Sequence, residues 1–168
     1  MTQAIVELRS AVRPHLAHLS AGDRILVAVS GGADSLALAG ALLVEAKEFL
    51  ITCIGVTIDH QLQNESASQA QKVVAQLAKF GLKCVIQKVT VDIKDGLEAS
   101  ARKARYEAIN KVAQQENAVA VFLGHTKDDQ AETVLLGLAR GSGTRSLSGM
   151  AQHNGIYVRP LLAITRIQ

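Results

Sequence analysis

Four short segments of the chain are almost continuously apolar, and segments with a helical pattern separate them. The four are Ile25–Val29, Ile51–Ile58, Cys84–Val89 and Val119–Leu123. Strands that are apolar at nearly every position, rather than at alternate ones, are typical of a parallel sheet that is buried on both faces. We therefore predict four parallel strands.

Apolar side chains between these strands recur at every third or fourth position, which is the spacing of one face of an α-helix. They are Leu36, Ala39, Leu42, Leu43 and Ala46 in the first segment, Ala70, Val73, Val74 and Leu77 in the second, and Leu97, Ala101, Ala104, Ala108 and Val112 in the third. Another helix precedes the first strand. This alternation predicts an α/β fold, a doubly wound parallel sheet with helices on both faces. Ligands of such sheets bind at the carboxyl ends of the strands, where the strand order reverses.

Length and composition predict a single globular domain over residues 1–168, because 48% of the residues are apolar and 20% are charged. The first residues do not have the pattern of a signal peptide, and no apolar stretch approaches the roughly 20 residues that cross a bilayer. We therefore expect a cytoplasmic protein without a membrane partner. Cys53 and Cys84 are far apart in apolar segments, which favours two buried thiols over a metal site or a disulfide.

Charge along the chain is uneven, although the net charge is only +3. No acidic residue follows Glu132, whereas Arg140, Arg145, Arg159 and Arg166 do. This basic stretch is either a solvated surface or a contact for an anionic substrate such as ATP or nucleic acid.

A glycine-containing loop, Ser30–Ser35, joins the first strand to the helix that begins near Leu36. Gly31 and Gly32 provide two positions without a Cβ, where a backbone can approach a ligand or take a positive φ. The N–H groups of such a loop, at a helix N-terminus, form a site for phosphate. The chain has neither Gly-x-x-x-x-Gly-Lys-Ser/Thr nor a Gly-x-Gly-x-x-Gly after the first strand. The loop therefore predicts a pyrophosphate site, and the alternative is that Asp34 or Ser35 only caps the helix.

Three more groups of polar residues follow strands or lie on one helix face. Asp59 and His60 end the second strand, where the carboxylate either contacts a ribose or a metal or caps the next helix. Arg102 and Arg105 are neighbours on one face of a helix, which indicates an anionic partner. His125 opens the turn after the fourth strand, and Asp129 with Glu132 has the spacing of a capping box. Gly141–Gly149 has the composition of a functional loop.

The sequence Ser-Gly-Gly-Ala-Asp-Ser resembles the pyrophosphate loop of the N-type ATP pyrophosphatases. Further motifs narrow the resemblance to the tRNA(Ile)-lysidine synthetases over about residues 22–166. They are Asp-His-x-Leu, Glu-x-x-Ala-Arg-x-x-Arg-Tyr, Gly-His-Thr-x-Asp-Asp-Gln-x-Glu-Thr, Leu-x-Arg-Gly-Ser-Gly and Arg159-Pro160-Leu161-Leu162, in this order.

The resemblance implies an enzyme that uses ATP to adenylate the C2 carbonyl oxygen of the wobble cytidine in tRNA(Ile), after which the amine of free lysine displaces AMP. Pyrophosphate is released. ATP and Mg²⁺ are the implied cofactors. The resemblance assigns nucleotide binding to Ser30, Gly31, Gly32, Asp34, Ser35, Asp59 and His60, the reaction side to Asp34, Arg102, Arg105, His125, Asp129 and Arg140, and the metal to Asp34 and Asp129.

Two features depart from this family pattern. Gln63 stands where the family has arginine, and the chain stops at Gln168, where the family continues into segments that grip tRNA. Two other classes of protein share the expected layout. Enzymes that 2-thiolate tRNA carry Cys-x-x-Cys pairs, which this chain lacks, and nucleotide-binding modules that resemble universal stress proteins lack the Ser-Gly-Gly-x-Asp-Ser loop.

Overall fold

A computed structural model describes residues 3–61, 66–90, 96–139 and 148–165, without the side chains of residues 97 and 98. The helices are α1 (Gln3–Leu16), α2 (Ala33–Glu48), α3 (Ser66–Lys79), α4 (Leu97–Gln115) and α5 (Lys127–Ala139). The strands are β1 (Arg24–Ala28), β2 (Thr52–Asp59), β3 (Cys84–Lys88), β4 (Ala118–Leu123), β5 (His153–Asn154) and β6 (Tyr157–Val158).

The strands form one sheet in the order β3-β2-β1-β4-β6-β5, and only β5 is antiparallel to its neighbour. The predicted doubly wound α/β fold is confirmed, and each of the four predicted strands is present to within one residue at either end. β5 and β6 were not predicted, because two residues are too few to show a periodicity.

Strand order reverses at β1. The chain passes from β1 to β2 and β3 on one side, and then returns to place β4 on the other side of β1. The carboxyl ends of β1 and β4 therefore border the crevice in which sheets of this kind bind ligands. The loop after β1 and the turn after β4 both open there.

Apolar side chains pack against both faces of the sheet. α1, α2 and α3 bury their apolar positions on one face, together with Val27 and Phe122. α4 covers the other face with Ile109 and Val112, which pack with Leu26 and Val121. Neighbouring residues of β1 and of β4 thus face opposite layers, which is why these strands are apolar at every position.

Both cysteines are free and only partly buried, and they pack against the core on the α2 and α3 side. Burial raises the pKa of Cys53 to about 12 and that of Cys84 to about 11, so both thiols stay protonated at neutral pH. Within the part of the chain that the structure describes, no helix is both long enough and apolar enough to span a bilayer.

α1 is fastened to α2 by a buried carboxylate. Glu45 is fully buried and accepts a hydrogen bond from the Arg9 Nε–H, while the Arg13 guanidinium lies 3.5 Å from its second oxygen. Arg13 also lies over the Phe49 ring, 5.7 Å from its centroid. None of these residues lines the crevice, so this ion pair contributes to the fold.

Candidate nucleotide-binding site

A cavity of about 500 Å³ lies at the carboxyl edge of the sheet, where the strand order reverses. Its wall is formed by Ala28, Val29, Ser30, Gly32, Asp34, Ser35, Val56, Ile58, His60, Arg105, Gly124, His125 and Asp129. Most of the residues that the sequence selected as a site therefore meet in one place, although they come from four separate segments of the chain.

The loop after β1 depends on one glycine rather than two. Gly31 has φ +91°, and a Cβ there would lie 3.0 Å from side-chain atoms of Gln69 and Val73 on α3. Gly32 instead has φ −75° and ψ 156°, an extended conformation that any residue adopts, and it is the N-cap of α2. Of the two possibilities that the sequence offered, Gly31 therefore has the positive φ, and Gly32 lines the cavity, where a ligand could approach its backbone.

Ser35 braces this loop from inside. Its hydroxyl accepts a hydrogen bond from the Ser30 N–H at 3.2 Å and donates one to the Gly32 carbonyl at 2.9 Å. Ser35 is only 8% exposed, so these contacts are shielded from solvent. The first N–H groups of α2 lack partners within the helix, and the residues around them line the cavity. The loop is thus held in a shape that suits a phosphate group.

Gly124 brings the end of β4 against the start of α2. A Cβ on Gly124 would lie 3.1 Å from the Ser35 Cα, 3.2 Å from the Ser35 nitrogen and 3.3 Å from the Asp34 carbonyl oxygen. Sequence reasoning did not single out this residue. The signal was a glycine directly after a buried strand, a position where a close backbone approach is common.

Asp129 occupies a different position in its helix from the one expected. α5 begins at Lys127, so Thr126 is the N-cap and Asp129 lies in the first turn. The Asp129 carboxylate accepts hydrogen bonds from the Thr126 N–H at 2.7 Å and from the Thr126 hydroxyl at 2.9 Å. The predicted pairing of Asp129 with Glu132 is therefore wrong, and the observed contact between Asp129 and Thr126 is the half of a capping box in which the third helical residue reaches back to the N-cap N–H. Asp129 is thereby fixed in the cavity wall.

Two histidines and one arginine form a wall of the cavity with few polar contacts of their own. The Nδ1 atoms of His60 and His125 are buried and have no hydrogen-bond partner among the described residues. Burial, followed by the charge of Arg105, lowers the pKa of His60 and takes that of His125 down to about 4. Both imidazoles are therefore neutral near pH 7 and offer one donor and one acceptor each. Burial also lowers the pKa of Arg105.

Three described residues assigned to the site do not line the cavity: Gly31, where a Cβ would face α3, and Asp59 and Arg102. Asp59 is 2% exposed, and its Oδ1 accepts hydrogen bonds from the Ser66 hydroxyl at 2.6 Å and from the Gln61 N–H at 3.0 Å. It therefore joins the end of β2 to the start of α3, and these bonds lower its pKa. Arg102 is exposed and lies over the Tyr106 ring, 5.4 Å from its centroid. Arg140, Gln63 and most of the Gly141–Gly149 loop lie outside the described residues.

The polar contacts of Arg159 and Gln130 were missed by sequence reasoning. Arg159 was counted as part of a basic stretch, yet it is 4% exposed and donates hydrogen bonds to the Ala151 carbonyl and to the Tyr106 hydroxyl. It is thus no part of a solvated basic surface. Gln130 is another omission, because its side-chain amide donates to the Met150 carbonyl at 2.9 Å and accepts from the Met150 N–H at 2.6 Å.

The donor set fits a magnesium ion that arrives with phosphate. Asp34 and Asp129 line the same cavity as the loop. Mg²⁺ usually takes one or two carboxylates and completes its shell with phosphate oxygens and water. Among the residues that the structure describes, no cluster of three or more His, Cys, Asp or Glu side chains could hold a metal by itself.

A loop that presents backbone N–H groups after a buried strand, at the reversal point of a parallel sheet, defines a phosphate-binding α/β domain. The PP-loop domain family matches residues 3–168, and the chain belongs to this family. Membership implies that the chain uses ATP.

Two curated relatives are similar to this chain over most of its length. The chain is 53% identical over 160 residues to the tRNA(Ile)-lysidine synthase of Thermobifida fusca (strain YX), an alignment that covers 95% of this chain and 49% of the relative. It is 55% identical over 146 residues to that of Streptomyces coelicolor (strain ATCC BAA-471 / A3(2) / M145), which covers 84% of this chain and 42% of the relative. The chain thus spans about half the length of the curated relatives it matches.

The fold also matches a solved structure, the U34-tRNA thiolase NcsA from Methanococcus maripaludis with its [4Fe-4S] cluster. The TM-score is 0.79 at 20% identity, and the match covers 96% of this chain and 59% of the thiolase. At this identity the similarity concerns the fold alone.

Proposed function

We propose that this chain is the ATP-binding and adenylating part of a tRNA(Ile)-lysidine synthase. The observation that carries the proposal is that the braced loop Ser30–Ser35 opens into the same cavity as Arg105, His125 and Asp129. Among enzymes that use ATP to modify tRNA, the chain's sequence identity of 53% and 55% to two such synthases supports this assignment. The reaction would take place in the cytoplasm, with ATP, free lysine and tRNA(Ile) bearing a wobble cytidine as substrates.

In this proposal the loop holds the β and γ phosphates as the leaving group. The backbone N–H groups at the start of α2 bind the oxygens, and the helix dipole favours their charge by about 0.3–1 kcal/mol per charge at an exposed site. No lysine of the Walker type is present to reach a γ-phosphate. Cleavage between the α and β phosphates therefore fits this loop better than γ-phosphate transfer.

Arg105 supplies the fixed positive charge on the opposite wall. A guanidinium binds phosphate oxygens in pairs, and burial strengthens that contact. Asp34 and Asp129 would hold Mg²⁺, which neutralises charge on the departing pyrophosphate when it is bound. Arg102 and Arg140 stay candidates for contact with the nucleic acid or with lysine.

His125 orients substrate in this proposal rather than donating a proton. Its pKa of about 4 leaves it neutral at physiological pH, so it contributes a hydrogen bond rather than a charge. The lysine ammonium must lose a proton before it attacks the adenylated cytidine. The carboxylates of Asp34 and Asp129 are the acceptors in the cavity wall that suit this step.

We expect recognition of tRNA(Ile) to need more positively charged surface than the described residues of this chain offer. Arg159 is buried, so at most three of the four arginines after Glu132 remain as candidate phosphate contacts. Each phosphate that a protein neutralises adds about 0.7–0.9 to the slope of log affinity against log salt. We expect weak tRNA(Ile) binding by the 168-residue chain, with a shallow salt dependence.

Product analysis tests the proposal. The chain is incubated with Mg-ATP, lysine and an unmodified tRNA(Ile), the nucleotides are separated by chromatography, and the tRNA nucleosides are analysed by mass spectrometry. The Thermobifida fusca synthase is the positive control. We expect AMP, pyrophosphate and a small yield of lysidine, whereas ADP as the main nucleotide product would refute the assignment.

A further inference from the structure

Arg159 directly follows strand β6 and is buried next to Tyr106 of α4. It is 4% exposed, its Nη1 donates to the Ala151 carbonyl at 2.9 Å, and its Nη2 donates to the Tyr106 hydroxyl at 3.3 Å. Its Nε is also buried and has no hydrogen-bond partner among the described residues. The hydrogen bonds that the guanidinium donates to described residues therefore both go to uncharged oxygens.

Neither Arg159 nor Arg105 has a carboxylate within 4.0 Å in the part of the chain that the structure describes. A buried cation without a counter-ion costs stability, and an apolar side chain of similar volume is often the more stable choice at such a position. Stabilisation of the fold alone therefore does not explain why an arginine is buried at this position. Its hydrogen bond to Tyr106 of α4 suggests a different role.

Tyr106 connects Arg159 to the cavity wall, because it is the neighbour of Arg105 on α4. The Tyr106 ring meets the Tyr157 ring of β6 edge to face, with centroids 5.0 Å apart and an interplanar angle of 73°. The Tyr157 hydroxyl in turn donates to the Asn110 Oδ1 at 2.7 Å. These contacts hold two successive turns of α4 against β6.

We propose that Arg159 is a positioning residue, which holds the Tyr106 hydroxyl and thereby fixes Arg105 in the wall of the nucleotide cavity. The effect on ATP rests on the proposed function, whereas the effect on the order of Arg105 does not. Arg159 itself does not line the cavity, so its influence passes through Tyr106.

Tyr106→Phe is the most specific variant, because it removes the hydroxyl that accepts the Arg159 hydrogen bond and leaves the ring packed on Tyr157. Arg159→Met removes the donor and the charge. Lys103→Ala is the matched control, since it removes an exposed cation from the same helix. The melting temperature of each variant shows whether it is folded.

The first measurement is independent of any ligand. In protein labelled with ¹⁵N-arginine, the Nε–H signal of Arg105 is assigned with an Arg105→Lys variant. We expect a sharp signal in the wild type and in Lys103→Ala, and a shifted or broadened one in Tyr106→Phe and Arg159→Met. An unchanged Arg105 signal in Tyr106→Phe would overturn the proposal, whether or not the chain binds ATP.

The second measurement is Mg-ATP affinity by titration calorimetry. A charge-assisted hydrogen bond contributes about 10-fold to 100-fold in affinity, so Arg105→Ala should weaken binding by at least tenfold. Tyr106→Phe should weaken it about threefold to tenfold in the wild type, but by less than about twofold in the Arg105→Ala background, because both changes act on the same contact. Equal losses in both backgrounds would assign Tyr106 a general structural role and contradict the proposal. A wild type that does not bind Mg-ATP would count against the proposed function alone.

Discussion

Gly124→Ala tests whether the contact between β4 and α2 shapes the nucleotide site. The added Cβ would lie 3.1 Å from the Ser35 Cα, 3.2 Å from the Ser35 nitrogen and 3.3 Å from the Asp34 carbonyl oxygen. Carbon atoms pack best at about 3.5–4.0 Å. All three atoms belong to backbone, which cannot rotate away as a side chain can. The end of β4 and the first turn of α2 must therefore move apart by a few tenths of an ångström.

The cost follows from packing density. Forcing extra atoms into a well-packed position typically destabilises a protein by about 1–3 kcal/mol. For a domain of this size, each kcal/mol lowers the melting temperature by about 2–4 °C. The same movement displaces the Ser35 hydroxyl, which braces the loop through Ser30 and Gly32. We expect Mg-ATP binding to weaken by about tenfold, which corresponds to about 1.4 kcal/mol.

Gly40→Ala is the matched control, because Gly40 lies on the same helix and a Cβ there would meet nothing within 4 Å. Replacing an exposed glycine inside a helix with alanine stabilises it by about 0.5–1 kcal/mol. Calorimetry gives the melting temperature and the Mg-ATP affinity of both variants. A Gly124→Ala protein that melts and binds ATP like the wild type would show that the contact has no influence on the loop.

Three more changes test the site and the fold. Asp34→Ala should abolish ATP–pyrophosphate exchange in the presence of tRNA(Ile), which accepts the AMP group, with little change in melting temperature, because Asp34 is a half-buried residue of the first helical turn that packs little core. Unchanged exchange would remove it from the site. Glu45→Ala should destabilise the chain by about 2 kcal/mol in urea denaturation, less than the loss typical of a fully buried pair, since the Arg9 and Arg13 side chains are 27% and 57% exposed. His125 has a folded pKa of about 4, below its ordinary 6.5, so the stability that comes from its neutral form is complete above pH 6.5 and falls as the pH drops towards 4. His125→Asn should flatten that part of the pH profile of stability, and an unchanged profile would contradict the lowered pKa.

The strands could be predicted because burial on both faces leaves a continuous apolar run, and the loop could be predicted because its residue types are restricted by backbone geometry. The features that could not be predicted from the sequence depend on contacts between distant segments. Arg159 looks like a solvated charge until the fold places it beside Tyr106. The need for glycine at position 124 becomes visible only in the fold, where the start of α2 packs against it. The capping box was misplaced by three residues, because Thr126 and Asp129 both suit the N-cap and only the helix start at Lys127 decides between them.

The cavity combines residues from both layers of the sandwich. The loop and the start of α2 belong to the layer on one face of the sheet, whereas Arg105 reaches the cavity from α4 on the other face. Residues of both layers line the cavity at the carboxyl edge, so the distance between the loop and Arg105 depends on how each helix packs on β1 and β4. A close-packed interior transmits small shifts instead of absorbing them. Substitutions such as Leu38→Ala and Ile109→Ala, each on one face of the sheet, should therefore change nucleotide affinity as well as stability, although neither side chain lines the cavity.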